Sequence, residues 1–418
     1  MHLYSKKMKS DTPKIRIEHL IKVYGAQPQS ALQLFRAGAS RDDILEKTGQ
    51  VLGIADVSFN IYPGEIFVIM GLSGSGKSTL VRCINRLIDP TSGHIYIDDE
   101  DAAHVSAKRM RQIRLNQISM VFQRFGLLPH KTVVENVAYG LKVGGMGKKE
   151  RRQKALEMLE TVGLTQWADH LPSSLSGGMQ QRVGLARALA TDAEILLMDE
   201  PFSALDPLIR RGMQGELLRL QQELNKTIVF ISHDIQEALR IGDRIAVMKD
   251  GYIVQIGTPE DLVTRPADDY IQAFVQDVNR AQVLKTGTIA RQTIPLILGQ
   301  DSATAAFSQM QQQQLKQMYV LDRQGKPVGI LHDRILEAAM QQGNVDITQV
   351  MQTDFPKVGA STSLEDIFHV CRAGVPIAVV DDAGMFQGVI ESSDILASIG
   401  RLSGSVEETA QEPIVSYK

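Results

Sequence analysis

The stretch Gly71-Leu72-Ser73-Gly74-Ser75-Gly76-Lys77-Ser78 carries the most specific chemistry in this chain. Glycines at this spacing let the backbone curl until successive N–H groups face one anion, and the positive end of a following helix adds to the attraction. The chemistry expected is triphosphate binding. Gly71, Ser73, Gly74, Ser75 and Gly76 form the cradle, Lys77 reaches the terminal phosphates, and Ser78, followed by Thr79, meets Mg2+. A second group, Asp199-Glu200, ends the apolar run Ile195-Leu196-Leu197-Met198. Two acids closing a buried strand are costly in a core, so Asp199 is expected to hold Mg2+ through water and Glu200 to polarise an attacking water as general base. A third group, Leu175-Ser176-Gly177-Gly178, precedes a helical stretch over residues 180–190 and offers bare backbone donors at a helix N terminus. One chain then has two phosphate-binding helix ends, and the second needs a phosphate to meet.

These groups need a rigid frame. Residues 66–70, 195–198 and 228–231 read as short buried strands and residues 77–87 and 209–224 as helices, an alternation that predicts an α/β fold with a helix-covered sheet. Between Gly25 and Gln50 a stretch with helical spacing, through Leu32, Leu34, Phe35, Ile44 and Leu45, reads as an insertion between two early strands. A length of 418 residues suggests two or three domains. With 43% hydrophobic and 22% charged residues, collagen-like, low-complexity and wholly disordered classes are excluded. A net charge of -3 supplies no broad basic surface, so no nucleic-acid partner is expected. Cys83 and Cys371 lack metal-ligand spacing and read as reduced thiols of a cytosolic protein. No apolar run approaches the roughly 18 to 20 residues that span a bilayer, and the polar start over residues 1–14 lacks a secretory core. A membrane role would therefore need a partner that supplies the span.

Charge divides the chain near residues 279–286. Residues 285–418 hold 10 Lys and Arg against 15 Asp and Glu. The organisation expected is a nearly neutral domain over 1–284, an acidic module over 285–402 and a disordered polar tail over 403–418. Inside the module, Val320-Leu321-Asp322 with Gly325 and Gly329 recurs as Val379-Val380-Asp381 with Gly384 and Gly388. Such a repeat implies two copies of one small unit that bury a shared face. The glutamine-rich residues 309–317 read as a solvated helix face.

Add Gln123 after Val121-Phe122, Ser203-Ala204-Leu205-Asp206 and Ser232-His233-Asp234, and the motifs stand in the order found in ATP-binding cassette (ABC) ATPases, which residues 16–265 resemble. The resemblance implies a P-loop NTPase domain with a helical subdomain, using ATP and Mg2+. It also implies a second copy of the chain as partner, paired head to tail, so that Ser176, Gly177 and Gly178 contact the γ-phosphate of the other copy's ATP. By the same match, Gln123 contacts Mg2+ and the attacking water and senses membrane subunits. His233 is the switch histidine near the γ-phosphate, Asp206 the D-loop carboxylate crossing the dimer, and Tyr24 the aromatic that stacks on adenine. Met179 stands where many members carry Gln; because the Ser and Gly donors remain, activity is expected to be retained.

Several segments resemble one subfamily, the ATPases of osmoregulatory importers for glycine betaine and proline betaine: the insertion ending Ile44-Leu45-Glu46-Lys47-Thr48-Gly49, Asn85-Arg86-Leu87, and Leu127-Leu128-Pro129-His130. The acidic repeat resembles a tandem pair of CBS modules of α+β architecture. This implies transmembrane permease subunits as partners, a periplasmic, lipid-anchored or fused solute-binding protein acting indirectly, and a peripheral place on the cytoplasmic membrane face. The rivals are an importer ATPase for another amine or amino acid, which would usually lack the insertion and the CBS pair, and a non-transport cassette protein, which would usually carry two cassettes or a coiled-coil insertion. Nucleotide-binding CBS modules usually show Ser or Thr three residues before an Asp. The second copy keeps Asp394 but offers Glu391, and the first, Gly329-Ile330-Leu331-His332-Asp333-Arg334-Ile335, loses both, so a structural or ionic role is expected. Lys108, Arg109, Arg111, Arg114, Lys148, Lys149, Arg151, Arg152 and Lys154 suggest a salt-sensitive contact with an anionic leaflet.

Overall fold

The computed structural model describes residues 12–122, 126–203, 205–343, 346–371 and 374–400 and divides into two units, Met1–Val275 and Gln276–Lys418. The division falls slightly ahead of the charge step at 284/285, because Ala281 and Leu284 bury with Leu364, Ile367 and Ile377 in the second unit. The expected disordered tail lies outside the described residues.

In the first unit a six-stranded sheet runs in the order Tyr252–Gly257, Arg244–Lys249, Ile66–Met70, Thr227–Ser232, Ile195–Asp199, Ile118–Val121. Its neighbours are parallel except for the hairpin of the first two. The three central strands are buried along their whole length, which is why they read as unbroken apolar runs rather than as alternation. Met70 pairs with Ser232 and Asp199 with Ile231. That register delivers Gly71, Glu200 and His233 to the same carboxyl edge, where open parallel sheets bind ligands.

A four-stranded antiparallel sheet, Val51–Ile61, Ile15–Tyr24, Ser92–Ile97 and Glu100–Asp101, covers the same core through Ile15, Ile17, Ile54 and Phe59 against Phe67, Ile69 and Leu80. The insertion folds as two helices, Pro28–Arg36 and Arg41–Thr48. Ser40 and Asp43 cap the second reciprocally, and Ala31, Leu32 and Ile44 bury against Ile21, Val23, Leu52 and Ala55, while Leu45 faces solvent. A separate helical cluster joins Val133–Val137, Tyr139–Val143, Lys148–Thr161 and Gly177–Leu189 around Val133, Leu141, Leu159 and Val183. Three helix limits move from the sequence reading. The helix from Lys77 ends at Ile84, where Asn85 and a left-handed Arg86 break it. Asp206 caps a helix starting at Pro207, and Ser176 one starting at Gly177.

The second unit repeats itself as the sequence implies. In each copy a short strand runs parallel to the first arm of a hairpin: Leu296–Ile297 beside Gln317–Leu321 and Pro327–His332, then Lys357–Gly359 beside Ile377–Val380 and Phe386–Ile390. Asp322 and Asp381 close equivalent turns, with Gly325 and Gly384 in the left-handed region. The shared face is Tyr319 and Ile330 of one copy against Ala378 and Val389 of the other, and Tyr319 donates its hydroxyl to Pro376 O at 2.7 Å. In the glutamine tract the helix Ala303–Gln312 stops early, and Gln317 begins a strand, donating to Gly374 O rather than lying on a helix face.

Candidate functional site

Gly71, Gly74 and Gly76 take φ of +147°, +80° and +101°. A Cβ on Gly71 would stand 2.2 Å from Met248 O, and one on Gly76 2.4 Å from Gly53 O, whereas beside Gly74 the space is open to 4 Å. The loop thus closes only on glycine and leaves a concave backbone surface. Ser75 Oγ is buried there with no hydrogen-bond partner among the described residues, an arrangement that costs about 1–3 kcal/mol when left unanswered. A phosphate-bearing ligand fits such a cradle. Lys77 is 5% exposed and donates through Nζ to Gly71 O and Leu72 O, each at 2.9 Å. Burial lowers its pKa, while the nearby Glu200 and Asp199 carboxylates oppose the shift.

Ser78 Oγ donates to Asp199 Oδ1 at 2.9 Å, and Arg82 Nη2 reaches Asp199 Oδ2 at 3.2 Å. Asp199 is 1% exposed, so both its oxygens are held within the protein. A hydroxyl and a buried carboxylate converging beside a phosphate cradle suit Mg2+, whose ligands are oxygens. Glu200 follows in the left-handed region at φ +46°. Its Oε2 lies 3.3 Å from His233 Nδ1, and Ser203 Oγ donates back to Glu200 O at 3.0 Å. Just beyond, Glu237 is buried and accepts from Gln214 Nε2 at 3.0 Å and Ser232 Oγ at 2.5 Å; burial pushes its pKa up.

Tyr24 ends its strand 38% exposed, with its hydroxyl 3.0 Å from Thr79 Oγ1, so the aromatic sits beside the first turn after the loop. Gln123 lies outside the described residues. The chain just past it is tied to the helical cluster: Asn136 Oδ1 accepts from Leu128 N and its Nδ2 donates to Leu128 O, Lys131 O and Thr132 O, while Arg187 donates to Gly126 O at 2.6 Å. Ser176, Gly177 and Gly178 belong to that helical cluster and not to the loop of Lys77. Ser176 Oγ accepts from Met179 N, and a Cβ on Gly178 would meet Ile209 Cγ2 at 3.2 Å, so the signature helix packs closely on the helix that Asp206 caps.

Arg82, Asn136 and Arg187 were not singled out by sequence reasoning. Arg82 had a usable signal, since it follows Ser78 by four residues and so shares its helix face. The basic residues expected to face a leaflet are largely engaged within the protein: Arg109 with Glu100, Arg114 with Asn85 O and Arg86 O, Arg152 with Asp169 and Lys154 with Asp192. Arg291 likewise pairs with both Glu391 and Asp394, at 3.1 and 3.0 Å, and so occupies the one Asp that matched the nucleotide-binding CBS pattern. Cys83 is a free, buried thiol whose pKa burial pushes up to about 12.

A family model described as ABC transporter matches residues 54–203, and one described as CBS domain matches residues 347–401. The glycine betaine transport ATP-binding protein OpuAA of Bacillus subtilis (strain 168) is 47% identical, over 94% of this chain and 93% of its own. The glycine betaine/proline betaine transport system ATP-binding protein ProV of Escherichia coli (strain K12) is 46% identical, over 93% and 98%. Among solved structures, the dimeric post-hydrolysis state of the ATP-binding cassette MJ0796 bound to ADP and Pi is 36% identical and covers 59% of this chain and 98% of that one, at a TM-score of 0.50. The chain belongs to the ABC transporter family as an ATP-binding subunit, an ATPase coupled to transport. Among the described residues no helix is long and apolar enough to cross a membrane.

Proposed function

We propose that this chain hydrolyses ATP to energise import of glycine betaine- and proline betaine-type solutes through a membrane permease, acting as a head-to-tail pair on the cytoplasmic membrane face. The observation that carries the reading is the convergence of Lys77, the Ser78–Asp199 contact and the Glu200–His233 contact at one sheet edge. The solutes come from the relatives' names, which are those of betaine transport proteins.

In this reading the loop amides from Gly71 to Gly76 and Thr79 take the phosphates, and Lys77 exchanges two backbone carbonyls for phosphate oxygens. Ser78, Asp199 and Gln123 would hold Mg2+, which supplies positive charge to the phosphates when bound. Arg82 keeps the Asp199 carboxylate fixed against Ser78. Glu200 orients and polarises the attacking water, and His233, already in contact with Glu200, faces the γ-phosphate. Tyr24 stacks on adenine. Because Ser176 caps its own helix away from the Lys77 loop, its free helix end and Asp206 serve the second copy's nucleotide. A separate solute-binding protein selects cargo, and the CBS pair regulates without a nucleotide at Asp394, which Arg291 fills.

Reconstitution in vesicles with the permease and its solute-binding protein tests this. Glycine betaine should raise ATP turnover in proportion to its uptake. Turnover that never responds to betaine-type solutes, but follows a different amine or amino acid, would refute the solute assignment.

A further inference from the structure

The edge of the antiparallel sheet carries a cluster that the nucleotide chemistry does not use. His94 Nδ1 and His104 Nδ1 lie 2.7 and 2.8 Å from the same oxygen, Asp101 Oδ2, and the two rings are 5.0 Å apart. All three potential ligand atoms fall within 4.8 Å of one another. Local folding brings them together. Asp101 pairs with Tyr96, two residues along the same strand face from His94, and a turn closed by His104 N donating to Asp101 O at 3.1 Å returns His104 to the carboxylate. Ala103 N donates to Asp101 Oδ1 at 3.2 Å, which orients the group. Burial alone would raise the Asp101 pKa, but hydrogen bonds from both imidazoles outweigh it and hold the carboxyl below its ordinary range. Across the strand, Glu18 opposes His94 and is itself paired with Arg16.

Two imidazole nitrogens and one carboxylate oxygen suit a borderline first-row cation, whereas Mg2+ prefers oxygen and water. Around a tetrahedral centre with bonds of about 2.0–2.1 Å the ligand atoms stand about 3.3 Å apart. Each nitrogen–oxygen pair, at 2.7 and 2.8 Å, needs to open by about half an ångström to reach that spacing, and the half-exposed His94 and His104 side chains are free to turn. We propose that His94, Asp101 and His104 form a zinc-class divalent cation site, separate from the Ser78–Asp199 region, with a fourth position left to water. The ion clamps the short strand Glu100–Asp101 and its following turn onto Ser92–Ile97.

Equilibrium dialysis of the full chain against ZnCl2 in Mg2+-containing buffer tests the site. One tight equivalent is expected, weakened by at least about tenfold in His104→Ala and in Asp101→Asn, and retained in Asp199→Asn. Zinc should also raise the melting temperature of the unaltered chain and leave that of His104→Ala unmoved, with circular dichroism checking that both variants fold. Because an imidazole must shed its proton to ligate, binding should weaken as pH falls. Absence of saturable uptake at micromolar zinc, affinity in both cluster variants equal to that of the unaltered chain, or loss of the tight equivalent in Asp199→Asn would overturn the proposal.

Discussion

Each residue at the candidate site is held by something that catalysis must displace or use. Lys77 rests on two backbone carbonyls and is buried, so its charge is costly until phosphate arrives. Lys77→Ala should therefore weaken ATP affinity itself, read by nucleotide titration. Glu200 Oε2 lies against His233 Nδ1 at 3.3 Å, and its carboxylate acts on Lys77 only through charge. Glu200→Gln should keep ATP binding, lower turnover by about 10²- to 10⁴-fold, and trap a dimer visible by size-exclusion chromatography with ATP; turnover near wild type would remove the general-base role. The residues that sequence reasoning found here are those whose chemistry is unusual for their place, such as acids closing an apolar strand. Arg82 escaped because an arginine on a helix is ordinary until its neighbour Asp199 is known.

At the scale of elements, the join between strand Thr227–Ser232 and helix Ile235–Ile241 depends on Glu237. This buried acid receives Gln214 from the helix Pro207–Leu224 and Ser232 from the strand end. Burial raises its folded pKa above the ordinary 4.5, against the hydrogen bonds that lower it. The folded state therefore holds the proton more tightly than the unfolded chain, and the stability this contributes is present at low pH and lost as pH rises through the folded pKa. Glu237→Gln should flatten that part of the profile, measured as the difference in melting temperature between pH 5 and pH 7.5. An unchanged difference would count against the linkage. The strands themselves were legible because burial on both faces demands continuous apolar runs. Helix limits were less so: Ser176 and Asp206 start their helices earlier than hydrophobic periodicity alone suggests, because capping depends on polar side chains that periodicity ignores.

At the scale of the molecule, the second unit is a pair of like modules joined through Tyr319. Burial pushes the Tyr319 phenol pKa up, and its hydroxyl satisfies Pro376 O across the shared face. Tyr319→Phe should cost about 0.5–1.5 kcal/mol, because it removes a hydrogen bond to the half-buried Pro376 carbonyl; denaturant unfolding that shows no loss would mean that solvent replaces the contact. The chain's own order of residues determined the phosphate loop, the acid-tipped strand, the signature serine and the repeat, since each is a local pattern of side-chain type and spacing. Only tertiary structure decided that Met70, Ser232 and Asp199 end at one edge, that Arg82 and Ser78 share Asp199, that Arg291 fills the acids of the second module, and that His94 and His104 meet at Asp101. Those meetings depend on strand register and on turns that bring separated residues together, and register is set by how whole faces pack rather than by any single motif.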